Sequence, residues 1–541
     1  MGTRSSLGPG LDRRLDPAYA ELSRRRFLTV TGAAAALALS GTLPGLRETL
    51  GGADPRRRVG PFTLGIASGD PLPDGVVLWT RLAPDPLAPH GGLGQRAYPV
   101  EWQLATDERF RHVVRSGTAT ARPETGHSVH VDVRGLEPWR DYFYRFRSGG
   151  VVSDAGRTRT APAPDQLVPE LRLAFASCQA RWEGWYTAYR DLCAREHDVV
   201  LFLGDYIYEY GAARSVRPDD GLEQNIRPAM SLEDYRQRYA LYKLDADLQA
   251  AHRVAPWVVV WDDHEVADNW AGDDDGPTSL PRADFLQRRA NAFRAYWENM
   301  PLRTPQRPTG GRMTLHRRLR YGRLAELHML DTRQFRDDQV NFDGRTTPGP
   351  ATDDPRRSIL GAEQERWLVD GLTSSTAVWN VLGHQTAITR LDARPGEKVG
   401  VPGDTWDGYA ASRDRLLRTV HERRVPNVVS LAGDLHRSIA SDLVLDFDDP
   451  AATPVATELV GTSISSGRDG SDLDLGGWVM LEENPHQRFG NAQRGYVSCT
   501  VTPSEWRADF RVCDQVTTPG GSVSSRVVLG IEAGRPGVQA V

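Results

Sequence analysis

From Leu171 onward, apolar runs alternate with amphipathic stretches. LRLAFA, DVVLFLG, WVVVW, VWNVLG and NVVSLAG are short, rich in β-branched and aromatic residues, and bounded by polar clusters. Runs of this kind predict strands buried on both faces. Between and around them lie WYTAYRDLCARE, SLEDYRQRYALYKLDADLQAAH, DFLQRRANAFRAYWENM, GAEQERWLVDGL and ASRDRLLRTVHERR, which carry apolar residues at helical spacing. In the second, Leu232, Tyr235, Tyr239, Tyr242 and Leu248 share a face whose expected place is the core. Strands alternating with helices predict an α/β domain over residues 170–510.

The pattern upstream is different. GVVLWTRL, VEWQLATD, HSVHVDVRGL and DYFYRFRSG are short strands separated by Gly-, Pro- and Asp-bearing turns. That spacing predicts an N-terminal β-sandwich over residues 60–164. Within it, GLEPWRDYFYRF resembles the Leu-x-Pro corner and tyrosine strand of fibronectin type III domains. TAPAPDQLVPE reads as the connection between domains, and residues 511–541 read as a C-terminal tail.

The first 50 residues carry SRRRFL followed by TVTGAAAALALSGTLPG. A charged segment before a moderate Ala-rich run predicts a signal peptide, and Arg24-Arg25 with Phe27-Leu28 fits the twin-arginine type. The translocon of that route becomes an expected partner, and a secreted or cell-wall-associated location follows. No other run is long and apolar enough to predict a bilayer span.

Composition adds exclusions. Of 541 residues, 39% are hydrophobic and 25% charged, which is enough apolar material for a sizeable core. A net charge of −5 argues against a specific nucleic-acid partner. Lys243 and Lys398 are the only lysines, so arginine supplies nearly all positive charge. Cys178, Cys193, Cys499 and Cys513 are too few for a disulfide scaffold. Cys193 is expected in the core. Cys499 and Cys513 flank a predicted hairpin, where a disulfide and two free thiols are both open.

The chemistry gathers at strand ends. LRLAFA leads to Ser177-Cys178-Gln179, and DVVLFLG to Asp205, Tyr206 and Tyr208. WVVVW leads to Asp262-Asp263-His264-Glu265, VWNVLG to His384-Gln385, and NVVSLAG to Asp434-Leu435-His436. Open α/β sheets bind ligands beyond the carboxyl ends of their strands, so five such ends point to one crevice. Carboxylates crowded there need a cation, and metal is the expected one. Asp and Asn oxygens suit a hard ion. A phenolate at Tyr208 and a thiolate at Cys178 suit a strongly acidic one such as ferric iron. Glu209 and Glu265 are candidates to orient neighbouring ligands.

FASCQ, GDYIYEYG, WDDHEVADN, GHQ and LAGDLHRS, behind the leader and GIASGDPLPDGVVLWTRL, resemble the PhoD-type alkaline phosphatases. This calcineurin-like metallophosphoesterase group includes phosphodiesterases and phospholipase D-type enzymes. The resemblance runs from Ser23 to about Phe510. It implies an α/β metallophosphoesterase domain, a sheet sandwich flanked by helices, behind the fibronectin-III-like sandwich. It also implies one ferric ion (Fe3+) and calcium (Ca2+). By motif, iron takes Cys178, Asp205, Tyr208 and His436. Calcium shares Asp205 and takes Asp434, with Asp263 and Asn269 as further candidates. His384 stands where related enzymes place a second-site ligand, and contact with phosphate is its other reading.

The implied activity is hydrolysis of phosphate mono- and diesters by metal-activated hydroxide attack on phosphorus. His264 is the candidate to protonate the leaving oxygen, and Arg181 and Arg437 to hold phosphate oxygens. The narrower alternative is a phospholipase D-like or teichoic-acid-directed diesterase, with Trp182, Trp185 and Trp270 as a candidate apolar rim. The alternative outside enzymes is a non-catalytic cell-wall-binding module. No Gly-x-Ser-x-Gly elbow or phosphate-binding P-loop is present to support a covalent or ATP-driven route.

Overall fold

The computed structural model describes residues 60–211, 214–218, 227–276 and 279–540. The twin-arginine segment lies outside them. Two mixed sheets organise the chain. The larger has ten strands. At its centre Leu171–Ala176, Val199–Phe202 and Trp257–Val259 run parallel, with Val199 opposite Leu173 and Val200 opposite Trp257. The second sheet has seven strands, among which Ala325–Met329, Trp379–Gly383, Val428–Ala432 and Ala456–Val460 are parallel neighbours. Apart from exposed Arg172 these strands are buried, which is why they read as continuous apolar runs rather than alternating ones.

The sheets meet at their carboxyl ends. Ser177 forms a parallel bridge with Ser463, and Ile464 N donates to Ser177 O at 3.0 Å. The approach is too close for larger residues. A Cβ on Gly433 would lie 2.4 Å from Ser177 Oγ. Gly204, at φ +115°, would press a Cβ 2.3 Å from Asp262 Cβ.

The N-terminal segment does not stand apart. Val113–Ala121, Tyr98–Ala105, Asp141–Ser148 and Val151–Val152 form their own sheet, with Gly156–Arg159 paired to Asp141–Ser148. The facing layer is Ile66–Leu72, Gly75–Arg81 and Ser128–Arg134, and these three strands continue the ten-stranded sheet beyond Trp257–Val259. What the sequence suggests as a free-standing sandwich is therefore a layer shared with the α/β domain. Trp79 Nε1 donates to Glu298 O at 3.0 Å, and buried Arg81 reaches Arg236 O and Asn299 Oδ1. Tyr142 Oη accepts from Glu137 N at 2.9 Å and closes the Leu-x-Pro corner.

Two further readings change, and one left open is resolved. The long tyrosine stretch splits into Leu232–Lys243 and Ala246–Val254, because Asp245 caps the second helix by accepting from Asp247 N and Leu248 N. Tyr235, Tyr239 and Tyr242 are core residues in it. Residues 511–541 are not a tail: Val523–Glu532 and Arg535–Ala540 complete the large sheet. Cys499 and Cys513 are free thiols. Cys499 faces Ala508 across the hairpin, so Cys513 is five residues farther along, roughly 17 Å at strand spacing and beyond disulfide reach.

Candidate metal centre

The strand ends converge. Three donor groups have ligand atoms within 4.8 Å of one another: Cys178, Asp205 and His436; Asp205, Asp263 and His264; Asp262, Asp263 and Asp434. The first two share Asp205 and the last two share Asp263, so the groups form one chain of sites. Tyr208 belongs beside the first, with its Oη 3.2 Å from His436 Nε2 and 2.6 Å from Ser466 Oγ.

The backbone bends to achieve this. Cys178, Asp205, Asn269, Asp434 and His436 all have φ between 52° and 65°. Left-handed geometry is uncommon for residues with a Cβ and costs of order 1 kcal/mol each, and it clusters where function demands a particular side-chain aim. Buried Glu265 pins the turns. Its Oε2 accepts from Asp205 N at 3.1 Å and Asp262 N at 2.7 Å, and its Oε1 accepts from Tyr206 N.

The donors fit cations. Asp205 Oδ1, Asp262 Oδ2 and Asp263 Oδ1 are buried and accept no hydrogen bond among the described residues. Burial pushes the Asp205 carboxyl well above its ordinary range, and neighbouring Asp263, Asp262 and Glu265 add to this against the pull of His264. Burial and Asp262 do the same to Asp434. Burial, helped by Asp205, raises the Cys178 thiol as well. Asp262 is held at about 6 by burial, with Arg333 opposing. Asp263 goes the other way: His264 and Arg333 outweigh its burial and keep it ionised. Carboxylates that resist ionisation together are relieved by a shared cation.

One cation is already built in. Arg333 is wholly buried; its Nε donates to Asp262 Oδ1 and its Nη1 to both oxygens of Asp404 at 2.9 Å. Its Nη2 lies 3.7 Å from Asp263 Oδ1 and 3.9 Å from Asp434 Oδ1. Arg336 and Gln339 also donate to Asp404 Oδ1. Sequence reading passes over this group, although Arg333 follows the end of the strand Ala325–Met329 and obeys the same strand-end rule.

His264 belongs to the second donor group. Its Nδ1 is 2.9 Å from Glu209 Oε2, and its ring stacks on Tyr208 with centroids 4.1 Å apart. Burial alone would lower its pKa, but Asp263, Asp205 and Glu209 outweigh that and hold it well above the usual histidine value. Asn269 approaches Asp263 through its backbone N–H, at 2.7 Å from Oδ2.

Other sequence candidates lie elsewhere. His384 is fully buried; its Nε2 is 2.7 Å from Ser430 Oγ, which donates to Glu458, and it is outside the three donor groups. Arg437 extends from beside His436 to Asp474, with 3.3 Å contacts. Arg181 is buried, its backbone N–H facing Tyr242 Oη at 3.5 Å. Trp182 and Trp270 are core residues and form no rim, because Trp182 packs edge-on against Tyr208 and Trp270 against Phe293.

Comparison with known proteins settles the ancestry of this arrangement. Residues 173–510 match the family model described as PhoD-like phosphatase, and residues 49–162 match its N-terminal domain. The chain belongs to the PhoD-like phosphatases. It is 46% identical over 523 residues to alkaline phosphatase D of Bacillus subtilis (strain 168), covering 96% of this chain and 89% of that one. It also matches a solved structure described as the structure of PhoD, at a TM-score of 0.86 and 46% identity, covering 90% of this chain and 92% of that one. This PhoD-like chain is thus a phosphoesterase, and its donor cluster lies wholly within the residues that match the PhoD-like phosphatase model.

Proposed function

We propose that the protein is an exported, iron- and calcium-dependent hydrolase of phosphate mono- and diesters. The observation that carries this is the chain of three donor groups sharing Asp205 and Asp263, in which Asp205 Oδ1, Asp262 Oδ2 and Asp263 Oδ1 are buried without a hydrogen bond among the described residues. Cys178, Asp205, Tyr208 and His436 would hold the ferric ion, since thiolate and phenolate suit it. Asp205, Asp263, Asp434 and Asn269 would hold calcium through oxygen. Such ions supply Lewis acidity and lower the pKa of water.

The chain's own residues do the rest. Glu209 fixes His264 at Nδ1, leaving Nε2 directed toward Asp268, 3.8 Å away. His264 is then the group that protonates the leaving oxygen. Arg437 and Arg181 remain candidates for phosphate, Arg437 by exchanging Asp474 for substrate. The buried aromatic walls, Tyr208 and Trp182, exclude water from one side of the cluster.

Metal analysis coupled to hydrolysis of chromogenic mono- and diesters, with and without calcium, tests the reading. The expected result is iron and calcium in the purified protein, visible charge-transfer colour, and turnover lost on chelation. Metal-independent turnover of either ester would overturn it. Export rests on SRRRFL. Replacing Arg24 and Arg25 by Lys should retain the protein in the cytoplasm. Among the described residues, no helix is long and apolar enough to cross a membrane.

A further inference from the structure

The helix Leu475–Glu483, of sequence LGGWVMLEE, has apolar residues on nearly all sides. Leu475 is 81% exposed and Trp478 53%, the highest values among the large apolar side chains exposed in the described residues. Single exposed apolar residues are ordinary, but two on one short surface helix are not explained by packing. The helix is firmly seated by its other side. Met480 packs with Leu435 on a shared apolar cluster, Gly477 is buried, and Asp474 caps the helix while pairing with Arg437. Leu435 lies between Asp434 and His436. The helix therefore lies beside the segment that carries Asp434 and His436.

Helical geometry sets Trp478 about 40° around the axis from Asp474, on the shoulder next to the side that meets Arg437. Leu475 follows at about 100°. At the donor cluster, Tyr210 is half exposed, with its ring 5.2 Å from that of His264. The helix carries Asp474, Glu482 and Glu483 and no basic residue of its own. That charge disfavours an anionic polymer or an anionic bilayer on this face. Its closeness to the metal centre points to the part of a bound ester that lies beyond the phosphate.

We propose that Trp478 and Leu475 receive an apolar alcohol group of the phosphoester, making this helix a specificity element. The inference rests on the phosphoesterase reading of the neighbouring cluster. The test compares methyl and octyl p-nitrophenyl phosphate, the latter below its micellar concentration, on the metal-loaded full-length protein. The octyl ester should be favoured about tenfold in kcat/KM. Trp478→Ala combined with Leu475→Ser should bring the ratio to within about threefold of unity, mainly through KM, and Trp478→Phe should retain it. Equal ratios in the wild type and the double variant would overturn the proposal. Affinities for methylphosphonate and octylphosphonate, measured by calorimetry on the same proteins, give a second readout. If the wild type hydrolyses neither ester, the phosphoesterase reading fails, and the phosphonate affinity ratio alone decides the role of the helix.

Discussion

Glu209 Oε2 lies 2.9 Å from His264 Nδ1, while Glu209 Oε1 accepts from Asp268 N at 2.7 Å. One carboxylate thus fixes both the ring of the proposed acid and the turn that follows it. His264→Asn should lower kcat by about 10²–10⁴ while the metal content stays unchanged. Glu209→Gln should lower it by about 10–100-fold and shift the acidic or basic limb of the kcat profile. Loss of metal from His264→Asn, seen by elemental analysis, would make His264 a ligand instead.

Asp205 belongs to two donor groups at once. Asp205→Ala should remove metal and turnover together. Elemental analysis and the diester assay on the same sample check this, and a variant that keeps both would take Asp205 out of the centre.

Arg333 is the counter-charge for Asp262 and Asp404 in a fully buried setting. Arg333→Met strands Asp262, while Asp404 keeps Arg336 and Gln339, and should cost about 3–5 kcal/mol in urea unfolding. Adding Asp262→Asn should recover part of that loss. A larger loss in the double variant would show that Asp262 matters for reasons other than this pair.

Lys243 is buried with its Nζ 3.1 Å from Tyr206 Oη and 4.4 Å from the centre of the Trp79 ring. Burial, with Arg81 nearby, lowers its pKa from 10.5 to about 7. Between these values the unfolded chain binds a proton that the folded chain does not. Stability from this group is therefore complete above about 10.5 and falls as the pH drops toward 7. Lys243→Met should flatten that slope, by at most about 1.4 kcal/mol per pH unit. Unfolding free energies of both proteins at pH 7.5 and 9.5 check it.

Much of the centre was legible because each donor follows an apolar strand by only a few residues. Cys178, Asp205, Asp263, Asp434 and His436 all do, and the parallel registers bring those ends together. Arg333 obeys the same placement but does not stand out, since a sequence displays charges and hides their pairing. The final strands read as a tail because antiparallel partners leave no spacing signal beyond a hairpin. Sheet continuity from Trp257–Val259 into Ile66–Leu72 rests on a single parallel bridge, Gly69 to Trp257, that no local pattern announces. The break at Asp245 is different: its capping residue was visible within LYKLDADLQ, and unbroken helical spacing concealed it.

The strand Gly495–Val501 lies directly against Leu171–Ala176. A ribosome that has made everything through His436 has therefore synthesised the whole donor set without the neighbour that braces its first turn. The donor cluster is braced only once Gly495–Val501 has also been made. Any machinery that moves this protein with its donors already assembled would have to act after that strand is in place.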